Sequence, residues 1–168
     1  MTLSIRLATP ADLPAINAIY NHYVPISTCT YQTEPSTEDQ RRQWFTAHPQ
    51  DYYPTTVAVA ADGAGIIGWG ALRPFHARAA FRFTVENSVY VHPDHVRQGV
   101  GRALLADLLG RAGPLGFRSV IAVISADQLP SIALHASLGF VEAGRLTGVG
   151  YKFNRWLDVV YLQKKIFK

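Results

Sequence analysis

The chain has 168 residues, of which 48% are apolar, and a formal net charge of +4 at pH 7. This length suffices for one domain with a sizeable core, and no apolar stretch is long enough to cross a bilayer. A single cysteine, Cys29, excludes an internal disulfide, and because the sequence does not open like a secretory signal, we expect a cytoplasmic protein.

Hydrophobic periodicity, capping residues and Gly/Pro breaks divide the chain into alternating strands and helices. Thr9 and Pro10 are typical of a helix N-terminus, and Ser36 or Thr37 is the expected N-cap of the next helix. In chain order the pattern predicts a strand near 3–8, helices over 10–23 and 37–47, strands near 55–61, 66–73 and 81–92, a helix over 99–112, a strand over 119–125, a helix over 130–138, and strands near 140–151 and 156–164.

The segment from 81 to 91 has the most regular strand pattern. Apolar side chains at positions 81, 83, 85, 89 and 91 recur with a period of two, which predicts one buried face. Glu86 then lies on the opposite face of the strand. A carboxylate on a strand that leads into a glycine turn is a candidate catalytic group.

Gly99 and Gly101 follow this strand and lead directly into an apolar helix. A strand, a glycine turn and a helix N-terminus together are typical of a phosphate site, because first-turn amides have no intrahelical partner. A nucleoside-triphosphatase loop does not fit, since the required Lys and Ser or Thr are missing. A dinucleotide fingerprint does not fit either, because Leu104 replaces its third glycine. An ordinary strand-to-helix turn is the remaining alternative.

The loop around Gly99 and Gly101 resembles motif A of the GCN5-related N-acetyltransferases (GNAT), which binds the pyrophosphate of coenzyme A. Val96 replaces the Arg or Gln of that motif, yet such a loop binds mainly through backbone N–H groups, which Val also supplies. More narrowly, the chain resembles the phosphinothricin N-acetyltransferase family in blocks that keep the family order from about residue 5 to 164. These blocks are residues 19–22, 44–49, 81–86, 88–93, 131–135, 150–153 and 155–159.

The resemblance implies an α/β fold of the GNAT type, with a mixed, twisted sheet of six or seven strands and helices on both faces. It implies a single N-acetyltransferase domain over residues 1–168 and a homodimer. The implied activity is direct, acetyl-CoA-dependent transfer in a ternary complex to the α-amine of a small amino-acid-like substrate. Phosphinothricin, methionine sulfone and methionine sulfoximine are the leading examples.

The resemblance places the family's general base at Glu86, which would take the proton of the amine directly or through one water. His135 stands where many GNAT proteins have a Tyr near the departing thiolate. It has three possible roles: proton donor, assisting base, or a hydrogen-bonded histidine of the core.

The implied cofactor site combines the end of the long strand, the glycine loop and one amide side chain. Backbone groups of the strand pair with the pantetheine arm and polarise the thioester carbonyl. Gln128 stands where relatives often have a cofactor-binding Asn. The cofactor-binding residues are Val89, Tyr90, Val91, Arg97, Gln98, Gly99, Val100, Gly101, Arg102 and Gln128.

Substrate recognition is expected from cationic and aromatic residues near the catalytic strand, because arginine forks suit carboxylate, phosphinate and sulfone oxygens. For any single arginine, a solvated surface position is an equal alternative. The candidates are Tyr31, Arg73, Phe75, Arg78, Phe81, Arg82 and Lys152.

His92, Asp94 and His95 are potential metal ligands, but no further ligand stands at a spacing typical of a metal site. We therefore expect turn residues there and no metal.

Other functions stay open at this point. The enzyme could act on another amine, such as a polyamine or a protein N-terminus, or the chain could be a non-catalytic acetyl-CoA-binding sensor, which the presence of Glu86 disfavours. A nucleic-acid-binding module is disfavoured because Lys and Arg residues are scattered along the chain. The basic balance instead suits a polyphosphate cofactor and an acidic substrate. We expect no membrane partner.

Overall fold

The computed structural model describes residues 3–61, 63 and 65–166. In this part of the chain, seven β-strands and four α-helices form the fold. Their bounds are β1 Ser4–Leu7, α1 Leu13–Tyr23, α2 Glu38–Thr46, β2 Thr55–Val59, β3 Ile66–Pro74, β4 Thr84–Val91, α3 Val100–Ala112, β5 Ser119–Ser125, α4 Leu129–Ser137, β6 Val141–Lys152 and β7 Arg155–Lys165.

The strands of the described residues form one mixed sheet in the order β1-β2-β3-β4-β5-β7-β6. Only β4 and β5 pair in parallel, and every other neighbouring pair is antiparallel. The expected mixed sheet with helices on both faces is confirmed. On one face Ile16 of α1 packs with Trp69, and on the other Leu104 of α3 packs with Ala58 and Ile67. Among the described residues, no helix combines the length and apolarity needed to span a bilayer.

Helix starts follow local capping chemistry. Thr37 caps α2, since its hydroxyl accepts a hydrogen bond from the N–H of Gln40, whose side chain accepts from the N–H of Thr37. The first helix differs from its prediction, because residues 10–12 form a 3₁₀ turn and the α-helix begins at Leu13. In that turn Asp12 accepts hydrogen bonds from Thr9 and a bidentate pair from Arg6.

The prediction that the catalytic strand begins at Phe81 is wrong. Residues 79–81 form a 3₁₀ turn and β4 begins at Thr84, while Phe81 and Phe83 are 40% and 43% exposed. The reason is that pairing of β3 with β4 ends at Pro74↔Val85, and pairing with β5 begins at residue 84. In the described residues, the segment before Thr84 belongs to no ladder, although the Phe83 carbonyl accepts from the N–H groups of Arg118 and Ser119 at the start of β5. Its alternating apolar residues therefore form no sheet face.

The sheet opens between β4 and β5. Their ladder covers only three pairs and ends at Glu86↔Ile121. Beyond it, β4 continues to Val91 beside β3, and β5 continues to Ser125 beside β7. The two central strands thus diverge, and the facing edges beyond Glu86 line a cleft in the middle of the sheet.

Candidate active site

The cleft has a volume of about 830 Å³ and extends from the open sheet edge to the α1–α2 face. Its walls come from residues 86–91 of β4, residues 122–125 of β5, the start of α4, the loop after α1, and parts of α1, α2 and β3. Helices, strands and one loop from seven parts of the chain therefore converge on one concave site, as expected of a small-molecule site.

Glu86 lies in this cleft at the point where the β4–β5 ladder ends. Burial raises the pKa of its carboxyl group above the usual value, because the charged form loses hydration. A carboxylate with a raised pKa binds a proton more tightly than a free one. Glu86 is therefore suited to accept a proton from a group bound in the cleft.

The open edge of β4 presents backbone groups to the cleft. The N–H of His92 donates to the carbonyl of Ile67 in β3. Because the backbone groups of successive strand residues point to alternate edges, the N–H and carbonyl groups of Val89 and Val91 point away from β3, toward the cleft. The carbonyl of Val91 accepts a hydrogen bond of 2.6 Å from the Tyr23 hydroxyl. Beyond Glu86 no ladder with β5 uses this edge in the described residues, which leaves it accessible to an extended ligand with amide groups.

The glycine loop borders the end of this edge. Gly99 has a φ of +84° and is the N-cap of α3, and Arg97 has a φ of +61°. Gly101 sits close to Val89, Val91 and α4, because a Cβ added there would meet Leu134 Cδ2 at 3.3 Å. First-turn amides of α3 suit a phosphate group, and their position suits a ligand that runs from the loop along β4.

Two arginines line the cleft from the α1–α2 face. Arg41 is 5% exposed, and its guanidinium lies 4.5 Å from the ring centroid of Tyr20. Arg73 lies 4.0 Å from the ring centroid of Trp44, and its Nε is buried without a hydrogen-bond partner in the described residues. Within the same residues, neither guanidinium forms an ion pair with a carboxylate.

Burial lowers the pKa of both arginines, because a desolvated cation is unfavourable. The pKa of Arg73 falls to about 10, with the positive charge of Arg41 as the second cause. Two unneutralised cations that face one cleft attract an anion.

His135 of α4 is 4% exposed and hydrogen-bonded on both ring nitrogens. Its Nδ1 lies 2.8 Å from the carbonyl of Ser131, and its Nε2 lies 2.9 Å from the amide nitrogen of Asn87. A carbonyl only accepts, so Nδ1 carries the proton and Nε2 accepts from Asn87. Burial also lowers the pKa of this imidazole. Of the three possible roles, the geometry favours the hydrogen-bonded core histidine.

The loop after α1 is held over the cleft by long-range contacts. The ammonium group of Lys152 donates to the carbonyls of Ser27 and Thr30 at 2.7 and 2.8 Å, and the residue is 5% exposed. Gln128 donates to the hydroxyl of Thr28 at 2.7 Å. Lys152 thus anchors the loop that carries Tyr31, which differs from the substrate-binding role expected for it from the sequence.

A second predicted substrate cluster is not brought to the cleft. Arg82 donates to the carbonyl of Ala79, and its guanidinium lies 4.3 Å from the ring centroid of Phe83. Phe81 packs against Phe75 on the surface. Phe81 belongs to the 3₁₀ turn at 79–81, before β4 begins, and none of these side chains lines the cleft.

The predicted site residues therefore divide into two groups. Tyr31, Arg73, Glu86, Val89, Tyr90, Val91, Gln128 and His135 line the cleft. The lining does not include Phe75, Arg78, Phe81, Arg82, Lys152, or the loop residues Arg97, Gln98, Gly99, Val100, Gly101 and Arg102.

Among the cleft-lining residues that the sequence did not predict, Arg41 and Asn87 have the strongest potential to bind a ligand. Arg41 lies in a strongly charged helix, and such a composition is typical of a helix exposed to solvent. The sequence signal for burial is Trp44, three residues later, whose ring the Arg41 guanidinium contacts. Asn87 occupies the same face of β4 as Val85 and Val89, and a polar residue within that apolar series is the signal.

Comparisons with known proteins agree with this geometry. Residues 16–140 match the acetyltransferase (GNAT) family. The chain is 42% identical over 165 residues to the L-methionine sulfoximine/L-methionine sulfone acetyltransferase of Pseudomonas paraeruginosa, covering 97% of this chain and 94% of that relative. It is 38% identical over 164 residues to the L-amino acid N-acyltransferase MnaT of Escherichia coli, covering 98% of this chain and 94% of that relative.

A solved structure gives the same result. The phosphinothricin acetyltransferase of Sinorhizobium meliloti, in complex with AcCoA, superimposes with a TM-score of 0.94 at 39% identity, covering 98% of this chain and 89% of that one. The chain therefore belongs to the GNAT acetyltransferase family and is an acyltransferase.

Proposed function

We propose that this enzyme acetylates the α-amine of a small amino-acid-like substrate, with acetyl-CoA as donor and both bound in a ternary complex. Phosphinothricin, methionine sulfone and methionine sulfoximine are the favoured substrates, as the names of the relatives suggest. The observation that carries the proposal is the pair of unneutralised guanidinium groups, Arg41 and Arg73, in the same cleft as Glu86.

The arginine pair selects the acidic end of the substrate. A guanidinium forms charge-assisted hydrogen bonds with carboxylate, phosphinate or sulfone oxygens, and these bonds are stronger in a partly desolvated cleft. Arg73 Nη1 and Nη2 donate to the carbonyls of Tyr53 and Leu72 and to the hydroxyl of Thr55, whereas its buried Nε–H has no acceptor in the described residues. A polyamine or a lysine-rich peptide would instead bring further positive charge to two existing cations.

Glu86 acts on the amine. An α-ammonium has a pKa of about 8, so most of it is protonated at neutral pH and cannot attack. Glu86 accepts this proton, directly or through one water. Its raised pKa makes it a stronger base than a solvated carboxylate.

Acetyl-CoA supplies an activated acetyl thioester. The residues that would hold it are the backbone of Val89 and Val91, on the edge of β4 that no ladder with β5 uses in the described residues, and the loop at Gly99, whose amides suit a pyrophosphate. Both features are present in the chain, so its residues fit this co-substrate.

The substrate assignment is tested with Arg41→Met and Arg73→Met. One charge-assisted hydrogen bond contributes about 1.5–3 kcal/mol, so each variant should raise KM for methionine sulfone or phosphinothricin by about 10- to 150-fold. The matched control is Arg42→Met, because Arg42 is the exposed neighbour on the same helix and should leave KM unchanged. Unaltered KM in folded Arg41→Met and Arg73→Met, or preference for spermidine, would favour a polyamine or protein substrate.

The base is tested with Glu86→Gln. Turnover at pH 7 should fall roughly 10²- to 10⁴-fold, and the deficit should shrink at higher pH, where more amine is already neutral. Release of thiol from acetyl-CoA measures this. Wild-type turnover in the variant would exclude Glu86 as the base, and no thiol release by the wild type with any amine would favour a cofactor sensor.

A further inference from the structure

Asn87 has a buried acceptor that the fold does not use. The residue is 6% exposed and lines the cleft, and its Nδ2 donates to His135 Nε2 at 2.9 Å. Its Oδ1 is buried and has no hydrogen-bond partner in the described residues. Buried carbonyl groups are normally paired, so an unpaired one in a cleft indicates a ligand that supplies the donor.

The hydrogen-bond network determines which way the amide of Asn87 faces. Ser131 can only accept at its carbonyl, so Nδ1 of His135 carries the proton and Nε2 presents a lone pair. Asn87 must therefore direct its NH₂ group to His135, which leaves Oδ1 for the cleft. The reverse orientation would require a buried imidazolium in this position.

The location of Asn87 limits what the donor can be. It is the first β4 residue beyond the last ladder pair, Glu86↔Ile121, and lies on the opposite strand face from Glu86. Asn87 contacts His135, which contacts Ser131, and the same cleft is lined by Ile124 and Pro130. A neutral acceptor with these neighbours suits an uncharged N–H or S–H group at the reacting end of the cofactor.

We propose that Asn87 Oδ1 accepts a hydrogen bond from the cysteamine end of coenzyme A, and that His135 is a positioning residue that holds Asn87 in this orientation. This inference rests on the proposed use of acetyl-CoA. The donor is either the cysteamine amide N–H, which acetyl-CoA and coenzyme A share, or the thiol S–H, which only coenzyme A has. In this arrangement His135 stays neutral and supplies no proton to the thiolate.

The test is calorimetric affinity for acetyl-CoA, coenzyme A and desulfo-coenzyme A in the absence of any amine. Asn87→Leu should weaken binding about 3- to 10-fold, the usual value of one neutral hydrogen bond. An equal loss for all three ligands assigns the amide N–H as donor, and a loss confined to coenzyme A assigns the thiol. Unchanged affinity for all three in the folded variant would overturn the proposal.

Two His135 variants separate positioning from proton transfer. In His135→Gln, the side-chain carbonyl can still accept from Asn87, so affinity and turnover should stay within about threefold of wild type. In His135→Leu, Asn87 loses its fixed orientation, and affinity should fall as in Asn87→Leu. A loss of turnover of 10²-fold or more in His135→Gln with unchanged cofactor affinity would show that His135 transfers a proton and would overturn the positioning role.

The matched control is Thr56→Val, which removes another buried, unpaired polar atom, on β2 outside the cleft. It should leave all three affinities unchanged. If Asn87→Leu does not fold, Asn87→Val and His135→Leu provide the same comparison. Because calorimetry omits the amine, failure of the proposed substrate class would appear in the acetylation assays alone, with these affinities unaffected.

Discussion

Asp12 allows a quantitative test of how this fold depends on pH. Its carboxylate is 7% exposed and accepts hydrogen bonds from Arg6 at 2.7 and 2.8 Å and from the N–H of Thr9 at 2.8 Å. These contacts, the Arg6 hydrogen bond foremost, lower the pKa of Asp12 from 3.8 to about 2 against the opposing effect of burial. The group ties β1 to the turn that starts α1.

The sign and size of the Asp12 contribution to folding stability follow from proton linkage. Because the folded pKa is lower than the unfolded one, the stabilisation is complete above pH 3.8 and is lost as the pH falls through about 2. Each pKa unit corresponds to about 1.4 kcal/mol, so the shift amounts to about 2 kcal/mol at pH 7. At pH 3 about half of this remains.

The perturbation is Asp12→Asn, measured by urea denaturation at pH 7 and pH 3. The free energy of unfolding should fall by about 2 kcal/mol at pH 7, with a smaller difference at pH 3. The control is Glu142→Gln, whose exposed pair with Arg145 should contribute less than about 1 kcal/mol. A loss that is equal at both pH values, or a loss no larger than that of the control, would refute the linkage argument.

Two further predictions concern packing and loop anchoring. Gly70→Ala should destabilise the fold by about 1–3 kcal/mol, because the new Cβ would lie 3.0 Å from Leu108 Cδ1 and 3.1 Å from the Ser88 carbonyl; Gly110→Ala on α3 meets nothing within 4 Å and should stabilise it in the same urea assay. Lys152→Met removes the donor shared by two loop carbonyls, so limited proteolysis should cleave the loop after α1 faster, and an unchanged cleavage rate would contradict the anchoring role.

Features that depend on neighbours in sequence were predicted well. The cap at Thr37 involves only Gln40, three residues on, and the start of α3 follows from Gly99 directly before the helix. Hydrogen bonds of this range are encoded in the local pattern. Burial is not encoded locally: Phe81 and Phe83 alternate as in a strand, yet both are exposed and neither belongs to a ladder in the described residues.

The site residues show the same difference between local and long-range features. The motif around Glu86 identified the residue that the structure places at the ladder's end, but Arg41 is buried through packing of α2 on α1 and β3 rather than through its own helical pattern. Lys152 reaches loop carbonyls more than a hundred residues earlier in the chain. No spacing rule predicts a contact of that range.

The sequence by itself determined the family, the order of helices and strands, and the strand that carries Glu86, because motifs, caps and periodicity are local properties. Only the tertiary structure decided where β4 and β5 separate, which arginines face the cleft, and that both ring nitrogens of His135 are engaged in hydrogen bonds. These features depend on how distant segments pack and on which buried polar groups find partners. Desolvation and pairing act on the folded chain as a whole.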